Sequence, residues 1–105
     1  VVVSREKIKD MTSKKVLANK KEETMAWRIS VKNNKSQDIN MILLDQVPVP
    51  SLSEIELDVK ETTRGRWNQE SGEIRWEMEL DAKANKDLVL RYSVRYPRNQ
   101  NLIFD

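Results

Sequence analysis

The stretch Ile39-Asn40-Met41-Ile42-Leu43-Leu44-Asp45-Gln46-Val47-Pro48-Val49-Pro50 decides the fold, because here the chain stops alternating apolar with polar residues. A strand with one face in a core and one in water alternates with period two, whereas a run apolar at Met41, Ile42, Leu43 and Leu44 needs cover on both faces. Pro48 and Pro50 end it, since proline lacks the N–H that a ladder needs and drives its predecessor into extended geometry. Ile39, Met41, Leu43 and Val47 are assigned to a common core. Ile42 and Leu44 point the other way, where either Val16 and Leu17 or a partner must cover them.

The flanking sequence supplies more strands. Residues 24–32 alternate, with Met25, Trp27, Ile29 and Val31 on one face against Ala26, Arg28, Ser30 and Lys32. Asn33-Asn34-Lys35-Ser36 then reads as a turn, because asparagine tolerates left-handed backbone and bonds its own main chain. The glycosylation tripeptide within it is common by chance. Residues 54–61 put Ile55, Leu57 and Val59 inward, residues 73–80 put Ile74, Trp76, Met78 and Leu80 on one face, and residues 87–97 do the same with Leu88, Leu90, Tyr92, Val94 and Tyr96. The valines at the start suggest a first strand over residues 1–8, and residues 10–22 show no sustained period and read as a loop or irregular edge.

Charge suggests a pairing. If the last two strands form an antiparallel hairpin with Leu80 opposite Leu88, Glu77 faces Arg91 and Glu73 faces Arg95, while a slip by two residues sets Arg75 against Arg95 or Arg91. Strands at short spacing with wet outer faces and no convincing helix predict an all-β fold, a two-sheet antiparallel β-sandwich of immunoglobulin-like size and architecture. With 105 residues the chain is expected to be one domain over 1–105, and its opening on Val1 suggests a piece of a longer protein.

Composition narrows the function. Cysteine and histidine are absent, which removes thiol nucleophiles, the usual catalytic triads and ordinary zinc sites, so we expect no enzyme, no metal and no cofactor. No apolar run approaches the length of a transmembrane helix. Residues 1–21 hold Arg5, Lys7, Lys9, Lys14, Lys15, Lys20 and Lys21 against only Glu6 and Asp10, but scattered lysines without aromatic or glycine interleaving argue against nucleic acid as a partner.

Three segments carry a resemblance. Asp45-Gln46-Val47-Pro48-Val49-Pro50 after an apolar strand, Gly72-Glu73-Ile74-Arg75-Trp76-Glu77-Met78-Glu79-Leu80, and Leu88-Val89-Leu90-Arg91-Tyr92-Ser93-Val94-Arg95-Tyr96-Pro97 together resemble the C-terminal domain of mucoidy-inhibitor-like bacterial proteins, the domain of unknown function 4139. The resemblance covers about residues 24–97, and Pro50 stands where the family pattern usually has serine. It implies a multi-part protein of the bacterial cell envelope, periplasmic or surface-associated, in which a β domain and a coiled-coil-like middle precede this module. It implies no catalytic residues.

The candidate interaction residues are therefore Ile42, Leu44, Asp45, Gln46, Pro48, Arg64, Arg66 and Trp67. A non-catalytic interaction or structural module would use a sheet edge or the Ile42 and Leu44 face to dock another domain or a second copy. Asp45 is expected to bond turn amides. The alternative is a carbohydrate- or polyanion-binding module, with Trp67 as a stacking platform beside Arg64 and Arg66, although packing over an open sandwich end is the favoured reading of Trp67, because a large aromatic contributes so much burial. The weakest option makes Glu73, Glu77 and Glu79 the carboxylates of a glycoside hydrolase, against the plain expectation of an ion-paired strand surface.

Overall fold

The computed structural model describes residues 1–98. Among these residues eight strands appear: β1 (Val2–Lys7), β2 (Ser13–Leu17), β3 (Lys20–Lys32), β4 (Ile39–Gln46), β5 (Glu56–Glu61), β6 (Arg66–Trp67), β7 (Glu73–Leu80) and β8 (Asn85–Pro97), with one 3₁₀ turn at Lys9–Met11. They form two antiparallel sheets packed face to face, the expected β-sandwich. The larger sheet runs β1-β3-β8-β5, with β2 also on β3, and the smaller runs β4-β7-β6.

The inner faces carry the alternating apolar residues. Met25, Ile29 and Val31 of β3, Ile74, Trp76, Met78 and Leu80 of β7, and Leu88, Leu90, Tyr92, Val94 and Tyr96 of β8 are all buried in one cluster. Ile39, Met41 and Leu43 of β4 and Leu57 and Val59 of β5 pack against it. Ala26, expected on the wet side, is also fully buried.

Two expectations need correction. Residues 10–22 are not a loop: β2 pairs with β3 from Ser13↔Thr24 to Leu17↔Lys20, in line with β1 along the same edge. All five β2 residues are exposed, so no core imposes a period on them. The hairpin of the last two long strands is not formed either. β7 pairs with β4, and β8 pairs with β3 from Lys20↔Pro97 to Lys32↔Asn85, so residues 81–84 cross between sheets. Leu80 and Leu88 still both face the core, which is why alternation alone could not separate a hairpin from a crossover.

The turn after β3 and the crossing after β7 meet at Asn33. Its buried amide Nδ2 lies 2.8 Å from the Gln37 carbonyl and 3.1 Å from those of Leu80 and Asp81, while its Oδ1 accepts the Lys35 N–H. The Asn33 N–H donates to Ala84 and the Ala82 N–H to Asp38 Oδ1, so the two passages between sheets are tied into one knot. At the other end of β4 the Val47 N–H donates to the Gly72 carbonyl at 2.8 Å. Gly72 has φ +78, and a Cβ there would lie 2.4 Å from Val47 O, so only glycine fits this turn.

Candidate functional site

Strand β4 is an edge, and its two faces differ. Its register runs from Ile39↔Leu80 to Gln46↔Glu73 on β7, and no strand pairs with its other side among the described residues. Odd-numbered side chains enter the core; even-numbered ones form the outer row Asn40, Ile42, Leu44, Gln46. Ile42 and Leu44 are each 53% exposed, so the cover expected on this face of the doubly apolar run is not supplied by the described residues. Val16 and Leu17 do not cover them: both are exposed themselves, on the other sheet.

The backbone on this edge can be followed from the ladder. Val47 bonds Gly72 directly, and its alternation places the N–H and C=O groups of the odd residues toward β7. Those of Asn40, Ile42, Leu44 and Gln46 therefore point to the open side. The Gln46 N–H is met there by Asp45 Oδ1 at 2.7 Å, which closes one end of the edge. Beside the row lies a shallow groove of about 590 Å³ lined by Asn40, Met41, Ile42, Glu77, Met78 and Glu79.

The other candidates separate from this edge in different ways. Asp45 turns inward, and besides the Gln46 amide it takes the Arg5 guanidinium at 3.0 Å. Arg5 also lies 3.8 Å over the Trp27 ring, so one side chain of β1 bridges the two sheets. Nothing in the pattern around Arg5 signals this, because its partners are distant in sequence. Gln46 reaches the Ser71 carbonyl through Nε2 at 2.6 Å, and Pro48 is half-buried beyond the strand end.

Trp67 and its arginines do not converge. Trp67 pairs with Ile74 and packs on the core, with its indole N–H buried and unpartnered, whereas Arg66 pairs with Arg75 on the opposite face. Arg64 sits exposed in a turn with φ +65. Trp67 does line an open groove of about 540 Å³ with Val49, Leu52 and Ile55. Glu73, Glu77 and Glu79 share the outer face of β7, and Glu77 is ion-paired to Arg75 at 3.1 Å.

Part of the basic leading segment is likewise engaged in pairs. Lys14 approaches Glu23 at 3.3 Å and Lys20 approaches Glu56 at 3.4 Å. On the outer face of the larger sheet Arg95 donates to Glu22 at 2.6 Å, which holds the Glu22 carboxyl below the usual carboxylate range against the opposing effect of burial. Burial and a hydrogen bond to Glu23 raise the Tyr96 phenol above its ordinary value. No helix among the described residues is long and apolar enough to cross a membrane.

These features define a β-sandwich module whose distinctive surface is an open, apolar sheet edge. The family model for the domain of unknown function DUF4139 matches residues 1–98, and the chain belongs to that family. The match takes in β1 and β2 as well as the part of the chain that carries the motif resemblance. No curated protein and no solved structure matches the chain.

Proposed function

We propose that this domain is a non-catalytic interaction or structural module of a bacterial cell-envelope protein, periplasmic or surface-associated, that docks a protein partner along β4. The observation that carries the docking is the exposure of Ile42 and Leu44, side by side in the outer row of an unpaired edge. Covering their exposed surface is worth about 2 kcal/mol each at roughly 25 cal/mol per Å². The open backbone groups add main-chain pairing of the kind used in strand addition. The envelope setting rests on the likeness to mucoidy-inhibitor-like proteins.

Hydrogen exchange tests the docking. The amides of Ile42 and Leu44 are compared in the dilute 105-residue chain and in the longer protein that the resemblance implies. Slower exchange at both in the longer protein supports docking by a neighbouring domain. Equal exchange there, together with a chain that stays monomeric when concentrated, removes the proposal.

A further inference from the structure

We infer that the occupant of the β4 edge is a second copy of this chain, paired antiparallel about a two-fold axis at Leu43. This deepens the docking proposal and rests on it. The argument is self-complementarity. A two-fold axis at Leu43 sets Ile42 opposite the partner's Leu44 and Asn40 opposite the partner's Gln46, each twice, so apolar meets apolar and amide meets amide at every outer position. An axis at Ile42 sets Leu44 against Asn40, and one at Leu44 sets Ile42 against Gln46. Both mix the two kinds.

Backbone and charge agree with that register. The open N–H and C=O groups belong to the even residues, so Ile42 and the partner's Leu44 exchange both ladder bonds. The outer row of β4 holds no charge, and the charged row of β7 stays on the far side of β4 in each copy. The two β7 rows are then three strand spacings apart, roughly 14 Å, beyond the Debye length of about 8 Å at physiological salt. The β1 edge lacks this property, because Arg5, Glu6 and Lys7 occupy half of it. The paired sheet would have six strands, β6-β7-β4 continued by its symmetry mate.

An edge contact of this size falls below about 1,200 Å², the weak and transient class, so the dimer is expected at hundreds of micromolar and not at low micromolar chain. The absence of cysteine allows a clean test by cross-linking. Ile42→Cys and Leu44→Cys are made separately and oxidised mildly at about 0.5 mM, alone and as an equimolar mixture. The mixture is expected to give at least about fivefold more covalent dimer than either variant alone, since directly opposed residues meet disulfide geometry and residues two positions out of register do not. Sedimentation equilibrium of the unmodified chain should show the dimer, and Ile42→Lys with Leu44→Lys should abolish it.

Cross-linking of Ile42→Cys alone as efficient as the mixture overturns this register. A monomer at 1 mM (about twice the cross-linking concentration) with no cross-link in any sample overturns self-pairing. If Ile42 and Leu44 are then protected in the longer protein, docking stands and only the second copy falls; if they are not, both fall.

Discussion

The outer faces of the two sheets are built on opposite plans. On the larger sheet, side chains pair across strands: Glu22 with Arg95, Thr24 with Ser93 at 2.7 Å, Arg28 with Glu6 at 3.2 Å, and Lys20 with Glu56. Four strands are laced together in this way. On the smaller sheet Arg75 pairs with Glu77 of its own strand, and the β4 row opposite offers only Asn40, Ile42, Leu44 and Gln46. A surface ion pair is worth little in stability, typically 0 to about 1 kcal/mol, so the contrast concerns what each face can touch. The middle of the larger sheet's face is laced by these pairs, with Val2 and Leu17 left exposed at its β1 and β2 edge, whereas no such pair reaches Ile42 or Leu44 on the smaller sheet.

Breaking the shared core should give the largest effect. Leu90 is fully buried between the sheets, and Leu90→Ala is expected to cost about 3 to 4 kcal/mol in urea unfolding, whereas Leu44→Ala, the same truncation on the open face, should cost less than about 0.5 kcal/mol. Equal losses would erase the distinction. Trp67→Ala should cost about 3 kcal/mol, because the ring packs on the core; unchanged stability would return that ring to the surface as a stacking platform.

The knot that joins the sheets comes next. Asn33→Ala strands the carbonyls of Gln37, Leu80 and Asp81, and a loss of about 2 kcal/mol is expected, with faster exchange of the Ala82 and Lys35 amides. Faster exchange elsewhere, with those amides unchanged, would place the link between the sheets at another position.

The laced face should also show itself through pH. Arg95 lowers the Glu22 value in the folded state, so the contribution is complete above the ordinary value of 4.5 and is lost as pH falls through the lower folded value. Glu22→Gln should flatten that acid limb of stability against pH. A slope identical to that of the parent would mean that Arg95 and Glu22 do not interact in solution. The Tyr96 phenol acts at the other end, with stability kept below its ordinary value of 10.0 and lost as pH rises through the raised folded value.

What the sequence makes legible follows from what each signal measures. Alternation reports which side chains meet the core, so the faces of β3, β5, β7 and β8 are readable, and the doubly apolar run correctly marks Ile42 and Leu44 as needing explanation. Pairing is a weaker signal. Arg95 does find a glutamate, but it is Glu22 on β3, and cross-strand pairs of about 0.2–1 kcal/mol cannot decide between a hairpin and a crossover fixed by the packing of two whole sheets. Strand β2 is invisible because nothing in it is buried. Asn33 reads as a turn residue, and its further role as the tie between two loops depends on carbonyls 47 and 48 residues away. Trp67 is explained by the core, and its separation from Arg66 follows from adjacent residues pointing to opposite faces of a strand.

The central claim is that Ile42 and Leu44 serve contact and not folding, and the pair Ile42→Lys with Leu44→Lys tests it most directly. Urea unfolding of the dilute chain should shift by less than about 0.5 kcal/mol, as for other exposed substitutions. A loss of about 3 kcal/mol, the size expected for a core residue, would contradict the claim and make β4 a fold element on both of its faces.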